Sequence, residues 1–169
     1  MTLRGIEMQN ESTAMNKGEA DRVRANTSAE VNARLDREMR ERVETYASRS
    51  PAEITRRIEE LDREWDMERL LETNASALAG LGVGLAAATG SRKWLILPGV
   101  VLSFLFQHAV QGWCPPVPVF RRMGVRTRKE IDREKYALKA LRGDFDGLGA
   151  GGGQGGAARA EAALGAVDS

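Results

Sequence analysis

The sequence predicts an all-α protein: a transmembrane helical hairpin flanked by cytoplasmic amphipathic helices and disordered tails. Three observations carry that expectation. Residues 94–113 hold Leu95, Ile96, Leu97, Val100, Val101, Leu102, Phe104, Leu105, Phe106 and Val110 without a formal charge, and roughly 20 predominantly apolar residues suffice to cross a bilayer. Residues 75–90 form a weaker apolar run, with Leu78, Leu81, Val83 and Leu85 among alanines and glycines, and Ser91-Arg92-Lys93 links it to the stronger one. On both sides of this pair, apolar residues recur at helical spacing within heavily charged sequence. Strong apolar residues at about −0.3 to −0.6 kcal/mol each give the stronger run roughly −3 to −6 kcal/mol for insertion and the weaker one about −1 to −2. The stronger helix inserts well and carries the other with it.

The composition narrows what such a protein does. Charged residues make up 29% of the 169, yet the net charge is only +1, so no global field argues for nucleic acid. A single cysteine excludes an internal disulfide framework. One histidine and one cysteine do not make a metal site within a chain, and no cofactor is expected. Gly80-Leu81-Gly82-Val83-Gly84 follows no strand, so it is not a dinucleotide fingerprint. No nucleophile–base pair, carboxylate dyad or phosphate loop is visible, and the reading is non-enzymatic. The first 70 residues lack an apolar h-region, so the first membrane helix is expected to act as its own signal.

Residues 1–27 are polar and aperiodic and read as disordered. Residues 28–72 read as charged amphipathic helices. Val31, Leu35, Met39 and Val43, continued by Tyr46, form a narrow stripe that fits a solvated, ion-pair-laced helix or a short coiled-coil seam. Ser50-Pro51-Ala52-Glu53 is a capping box with proline at its tolerated position. The helix it opens is expected to reach about residue 72, with Ile54, Ile58, Leu61 and Trp65 on one face. It suits the membrane interface, with packing on a neighbouring helix as the other reading.

Residues 73–113 are the hairpin. Ser76, Gly80, Gly84 and Ala88 share one face of its first helix, and Gly99, Ser103, Gln107 and Gln111 share one face of its second. Small residues let backbones approach where lipid gives helices no hydrophobic reason to associate. These residues are therefore the expected helix-packing set, either within the hairpin or across a homodimer. His108 reads as a hydrogen-bonded interhelical histidine, with a proton or substrate role as the alternative.

Residues 114–142 read as a proline-rich exit followed by a basic amphipathic helix. Pro115-Pro116-Val117-Pro118 favours extended geometry, and Thr127-Arg128-Lys129-Glu130 is a second capping box. Arg121, Arg122, Arg126, Arg128 and Lys129 are expected at the membrane surface. Ile131, Leu138 and Leu141 either rest on that surface or pack on the earlier helix. Residues 143–169 are a glycine-rich disordered tail. Basic residues flank the hairpin, with Arg56, Arg57, Arg63 and Arg69 before it, while its link holds only Arg92 and Lys93. The positive-inside rule then puts both termini in the cytoplasm.

Over residues 68–123, the arginine-rich helix, the glycine-containing hairpin, Gly112-Trp113-Cys114-Pro115-Pro116 and the basic stretch resemble the YgaP-type inner-membrane domain family. That is a bacterial two-helix membrane domain of unknown function, sometimes fused to a rhodanese sulfurtransferase domain. The resemblance implies a dimeric hairpin in the bacterial plasma membrane. The fused members hint at sulfur handling, although this chain has neither a rhodanese domain nor a second cysteine.

The expected function is a small non-enzymatic inner-membrane protein, oligomerising through its hairpin, with the lipid bilayer and an unidentified cytoplasmic protein as partners. One alternative is a sulfur-relay or small-solute conduit component using Cys114, whose thiolate would need a lowered pKa. The other is a soluble helical interaction protein with a buried hairpin.

Overall fold

A computed structural model describes residues 21–146 and 163–165, and every regular element among residues 21–146 is helical. In chain order these are α1 (Arg22–Ala25), α2 (Ala29–Tyr46), α3 (Pro51–Arg63), α4 (Met67–Thr89), a 3-10 turn (Arg92–Leu95), α5 (Ile96–Gln111), α6 (Val117–Arg122) and α7 (Arg128–Arg142). The chain divides into two compact units. One comprises Met1–Leu35 with Trp65–Lys129, the other Asp36–Glu64 with Glu130–Ser169. Most of the expected tails, residues 1–20, 147–162 and 166–169, lie outside the described residues.

The second unit holds all of α3, most of α7 and the larger, C-terminal part of α2. Ile54, Ile58 and Leu61 of α3 meet Ile131 and Leu138 of α7, with Tyr46 packed against them. The expected interfacial role of α3 is thereby corrected: its apolar face is covered by protein. Leu141 stays exposed. The α3 capping box forms, with the Glu53 amide donating to Ser50 Oγ at 3.4 Å and the Ser50 amide donating to Glu53 Oε2 at 3.0 Å. These bonds from Ser50 hold the Glu53 carboxyl below its usual range. Glu134 is fully buried and accepts from Arg42 Nε at 3.0 Å and from Arg57 Nη2 at 2.9 Å. Lys135 meets Asp62 at 2.6 Å.

The helix α3 does not continue to residue 72. The chain breaks at Glu64-Trp65-Asp66, where Asp66 caps α4 by accepting from the Arg69 amide at 2.8 Å. The Met67 amide, a donor without an intrahelical partner, goes to the Arg126 carbonyl at 2.9 Å. Residues 21–27 are also not disordered. They form α1, whose Val23 is buried in a small core with Met67, Leu71, Cys114 and Val117. Past the hairpin the chain does not stay extended: Pro118 falls in the first turn of α6, where a missing amide donor is harmless. The α2 stripe is no solvated face either, since Leu35 and Met39 are buried.

α4 and α5 pack as an antiparallel pair joined by Gly90 and the 3-10 turn. Gly90 ends α4 with φ 66°, a left-handed conformation that favours glycine. Ala75 and Gly82 are buried on α4 and Pro98 and His108 on α5, and Gly82 lies against Pro98. A Cβ on Gly82 would lie 2.5 Å from Pro98 Cδ and 3.1 Å from the Trp94 carbonyl oxygen. Around Gly80, Gly84 and Gly99 the same addition meets nothing within 4 Å. The intramolecular seam therefore runs through Gly82, and the stripe of Ser76, Gly80, Gly84 and Ala88 faces outward. On α5, Gly99 and Ser103 are exposed and Gln107 is half-buried. Neither stripe is the seam within the hairpin.

Candidate functional site

The end of the hairpin where α4 begins and α5 finishes carries the densest polar construction in the first unit. The last carbonyls of a helix lack intrahelical donors, and α1 supplies them. Arg22 Nη1 donates to the Ala109 carbonyl at 2.8 Å and to the Val110 carbonyl at 3.1 Å, and Asn26 Nδ2 donates to the Gln111 carbonyl at 2.9 Å. A guanidinium there also complements the negative end of the α5 dipole. α1 comes so close that only glycine fits at residue 112. Its φ is 73°, and a Cβ would lie 2.9 Å from the Arg22 carbonyl oxygen. Asp21 fixes α1 in turn, accepting from the Arg24 amide at 3.1 Å and from the Thr127 hydroxyl at 2.7 Å.

Beneath these bonds lies a cleft of about 510 Å³. Glu68 and Glu72 line it from α4, Leu105, His108 and Ala109 from α5, and Arg128 and Lys129 from the start of α7. Partial loss of water raises the Glu68 carboxyl above its ordinary range, and the neighbouring carboxylates Asp66, Asp21 and Glu72 add to the shift. A second cavity of about 230 Å³ is almost wholly apolar, lined by Leu71, Ala75, Leu78, Val101, Phe104 and Cys114 among others. Leu105 lines both cavities.

The sequence-derived site residues are distributed unevenly around these features. His108 lies in the polar cleft and is nine-tenths buried, but its Nδ1 has no hydrogen-bond partner among the described residues. The expected interhelical hydrogen bond of His108 is not made through Nδ1. Cys114 is buried against Met67 and Val117, and burial pushes its thiol up. That direction opposes the activation a sulfur relay requires.

Of the expected surface cations, only Arg122, Arg128 and Lys129 are exposed. Arg121 is fully buried, donating to Asn32 Oδ1 at 2.9 Å and to the Val125 carbonyl at 3.0 Å, and Arg126 is buried as well. Arg121 thus ties α6 to Val125 and to Asn32, an internal role that follows from the chain folding back after the hairpin rather than leaving it extended.

Asp21, Arg22 and Asn26 escape a reading of the sequence because they sit in a stretch without apolar periodicity. An aspartate before a four-residue helix is too weak a signal to reveal it. Glu68 and Glu72 are legible there only as charges. Among the described residues no group of three His, Cys, Asp or Glu side chains is placed to hold a metal ion. Compared with known proteins, the chain matches no family, no curated protein and no solved structure.

Proposed function

We propose that this chain is a non-enzymatic integral membrane protein, of the bacterial inner-membrane type. Its hairpin crosses the bilayer with both termini cytoplasmic, and its second unit is a helical module that docks a cytoplasmic protein. The observation that carries the reading is the exposure of the hairpin. The apolar windows of the run ending at Thr89 and of the helix Arg92–Gln111 are only 17% and 11% buried. Ile96 and Phe106 are 68% and 71% exposed. A core helix of a water-soluble protein hides such side chains, and a contiguous apolar surface of this extent marks a membrane or partner face. The 3-10 turn and α5 together span about 32 Å, close to the roughly 30 Å of a bilayer's hydrocarbon.

A second copy is the natural cover for the outward stripe of Ser76, Gly80, Gly84 and Ala88, in keeping with the dimer that the YgaP-type resemblance implies. The sulfur-relay alternative rests on Cys114 alone, and the burial of that thiol weighs against it. Alkaline carbonate washing of membranes decides the main point. Retention in the pellet is expected, with reporters fused to either end reading cytoplasm. Release of the protein into the supernatant would end the membrane reading.

A further inference from the structure

The polar cleft and the apolar cavity meet at Leu105, and on the membrane reading above they lie at the headgroup end of the hairpin. We propose that together they bind one phospholipid whose head bears both a phosphate and a primary ammonium, of the phosphoethanolamine type. One acyl chain would enter the apolar cavity.

The first support is the pattern of charge. In the second unit the buried carboxylate of Glu134 takes Arg42 and Arg57, and at the cleft itself Asp21 takes the Thr127 hydroxyl. In the cleft, Glu68, Glu72 and Lys129 make no side-chain ion pair with any described residue, Glu68 accepting only from its own amide, and Arg128 stands beside Lys129. A simple anion entering here would meet two carboxylates, and a simple cation would meet two basic side chains. A zwitterion satisfies both signs, its phosphate toward Arg128 and Lys129 and its ammonium toward Glu68 and Glu72.

The second support is independent of charge. His108 lines the cleft, is nine-tenths buried and leaves Nδ1 without a partner among the described residues. A desolvated ring nitrogen without a partner is rare in native structures, and a bound donor is one way to satisfy it. A primary ammonium has hydrogens to donate to such a nitrogen and to carboxylates, whereas a quaternary ammonium has none. This separates ethanolamine from choline heads. The third support is the adjoining apolar cavity, bounded by Leu71, Leu78, Phe104 and Leu105. It suits an acyl chain and distinguishes a lipid from a free headgroup.

The test uses the full chain in nanodiscs of equal parts phosphatidylethanolamine, phosphatidylcholine and phosphatidylglycerol. After extraction in mild detergent, retained lipid is counted by native mass spectrometry. Phosphatidylethanolamine is expected about fivefold above the other two, the upper range over which one solvent-accessible ion pair discriminates. Glu68→Gln/Glu72→Gln is expected to bring it down to the level of phosphatidylcholine. Leu105→Trp, which fills the junction of the cavities and leaves every charge in place, is expected to do the same. Retention in the bulk ratio by the wild type, or an unchanged preference in the double variant, overturns the proposal. So does displacement of the retained lipid by an equal concentration of free phosphoethanolamine, because the acyl chain would then contribute nothing. A protein that carbonate washing leaves in the pellet, yet that retains lipids in the bulk ratio, refutes this site and not the membrane reading.

Discussion

The hairpin and the α3–α7 module bury opposite kinds of side chain. In the module, Ile54, Ile58, Leu61, Ile131 and Leu138 are inside, and charged side chains make up most of the surface. In the hairpin, Ala75, Gly82 and Pro98 are inside, while Ile96, Phe106 and Val110 face outward. One chain thus follows two packing rules. Water rewards hiding large apolar groups, so the module hides them. On the proposed membrane reading, lipid gives no such reward, so helices there gain from close contact at small residues instead. The contrast also shows how each region handles charge. The module encloses a carboxylate with two arginines, whereas the unit containing the hairpin brings Glu68, Glu72, Arg128 and Lys129 to a cleft at the end where α4 begins and α5 finishes.

The strongest way to break the comparison is at Glu134. Replacing it by alanine leaves Arg42 and Arg57 facing one another without their shared anion, and breaking a buried pair in this way costs about 3–5 kcal/mol. Hydrogen exchange on the full chain in detergent should show α3 and α7 losing protection while amides of α4 and α5 keep theirs. Equal loss in both regions would mean that the two are not separately stabilised.

A smaller effect sharpens the rule for the hairpin. Gly82→Ile forces a side chain into Pro98 and the Trp94 carbonyl, and overpacking of this kind costs about 1–3 kcal/mol. At Gly80 and Gly84 an added Cβ meets nothing within 4 Å, so Gly80→Ile and Gly84→Ile should leave the hairpin's thermal midpoint nearly unchanged. In the proposed dimer, however, both should abolish crosslinking in detergent, while Leu81→Ile leaves it intact. Equal dimer yield from all three variants would remove the stripe from any intermolecular seam.

The smallest effect concerns Glu68 and its raised carboxyl. The folded chain holds that proton to a higher pH than the unfolded chain, whose carboxyl titrates near 4.5. Stability therefore falls as pH climbs from 4.5 through the raised value, and the full deficit is present at neutral pH. Glu68→Gln should stabilise the protein at pH 7 by about 0.5 kcal/mol at most, the scale of a surface substitution. The gain should vanish below pH 4.5. A gain that persists in acid would point to packing rather than charge.

The features legible in the amino-acid sequence are those whose signal is local. Ser50 and Glu53 cap the helix they announce, since a capping box needs only four consecutive residues. The two apolar helices and the glycine at each of their ends are legible in the same way. The end of α3 at Arg63 is hidden although Asp66 offers the cap, because the apolar and charged periodicity runs on past it. Burial of Arg121 and Arg126 is illegible, since a basic cluster reads as surface until the chain folds Asn32 and Val125 around it.

The sequence by itself determined the helical class, the hairpin and its small-residue character, because period, length and glycine content are properties of consecutive residues. Which glycine touches the other helix was decided only in three dimensions. Ser76, Gly80, Gly84 and Ala88 make one small-residue face of α4, and Ala75, Ala79, Gly82 and Ala86 make another. Both permit a close approach, and nothing in the helix alone ranks them. In the folded chain Gly82 lies against Pro98, while Met67 and Leu71 of the same helix pack on Val23, Cys114 and Val117. Those contacts join residues distant in sequence, so no local pattern could announce them.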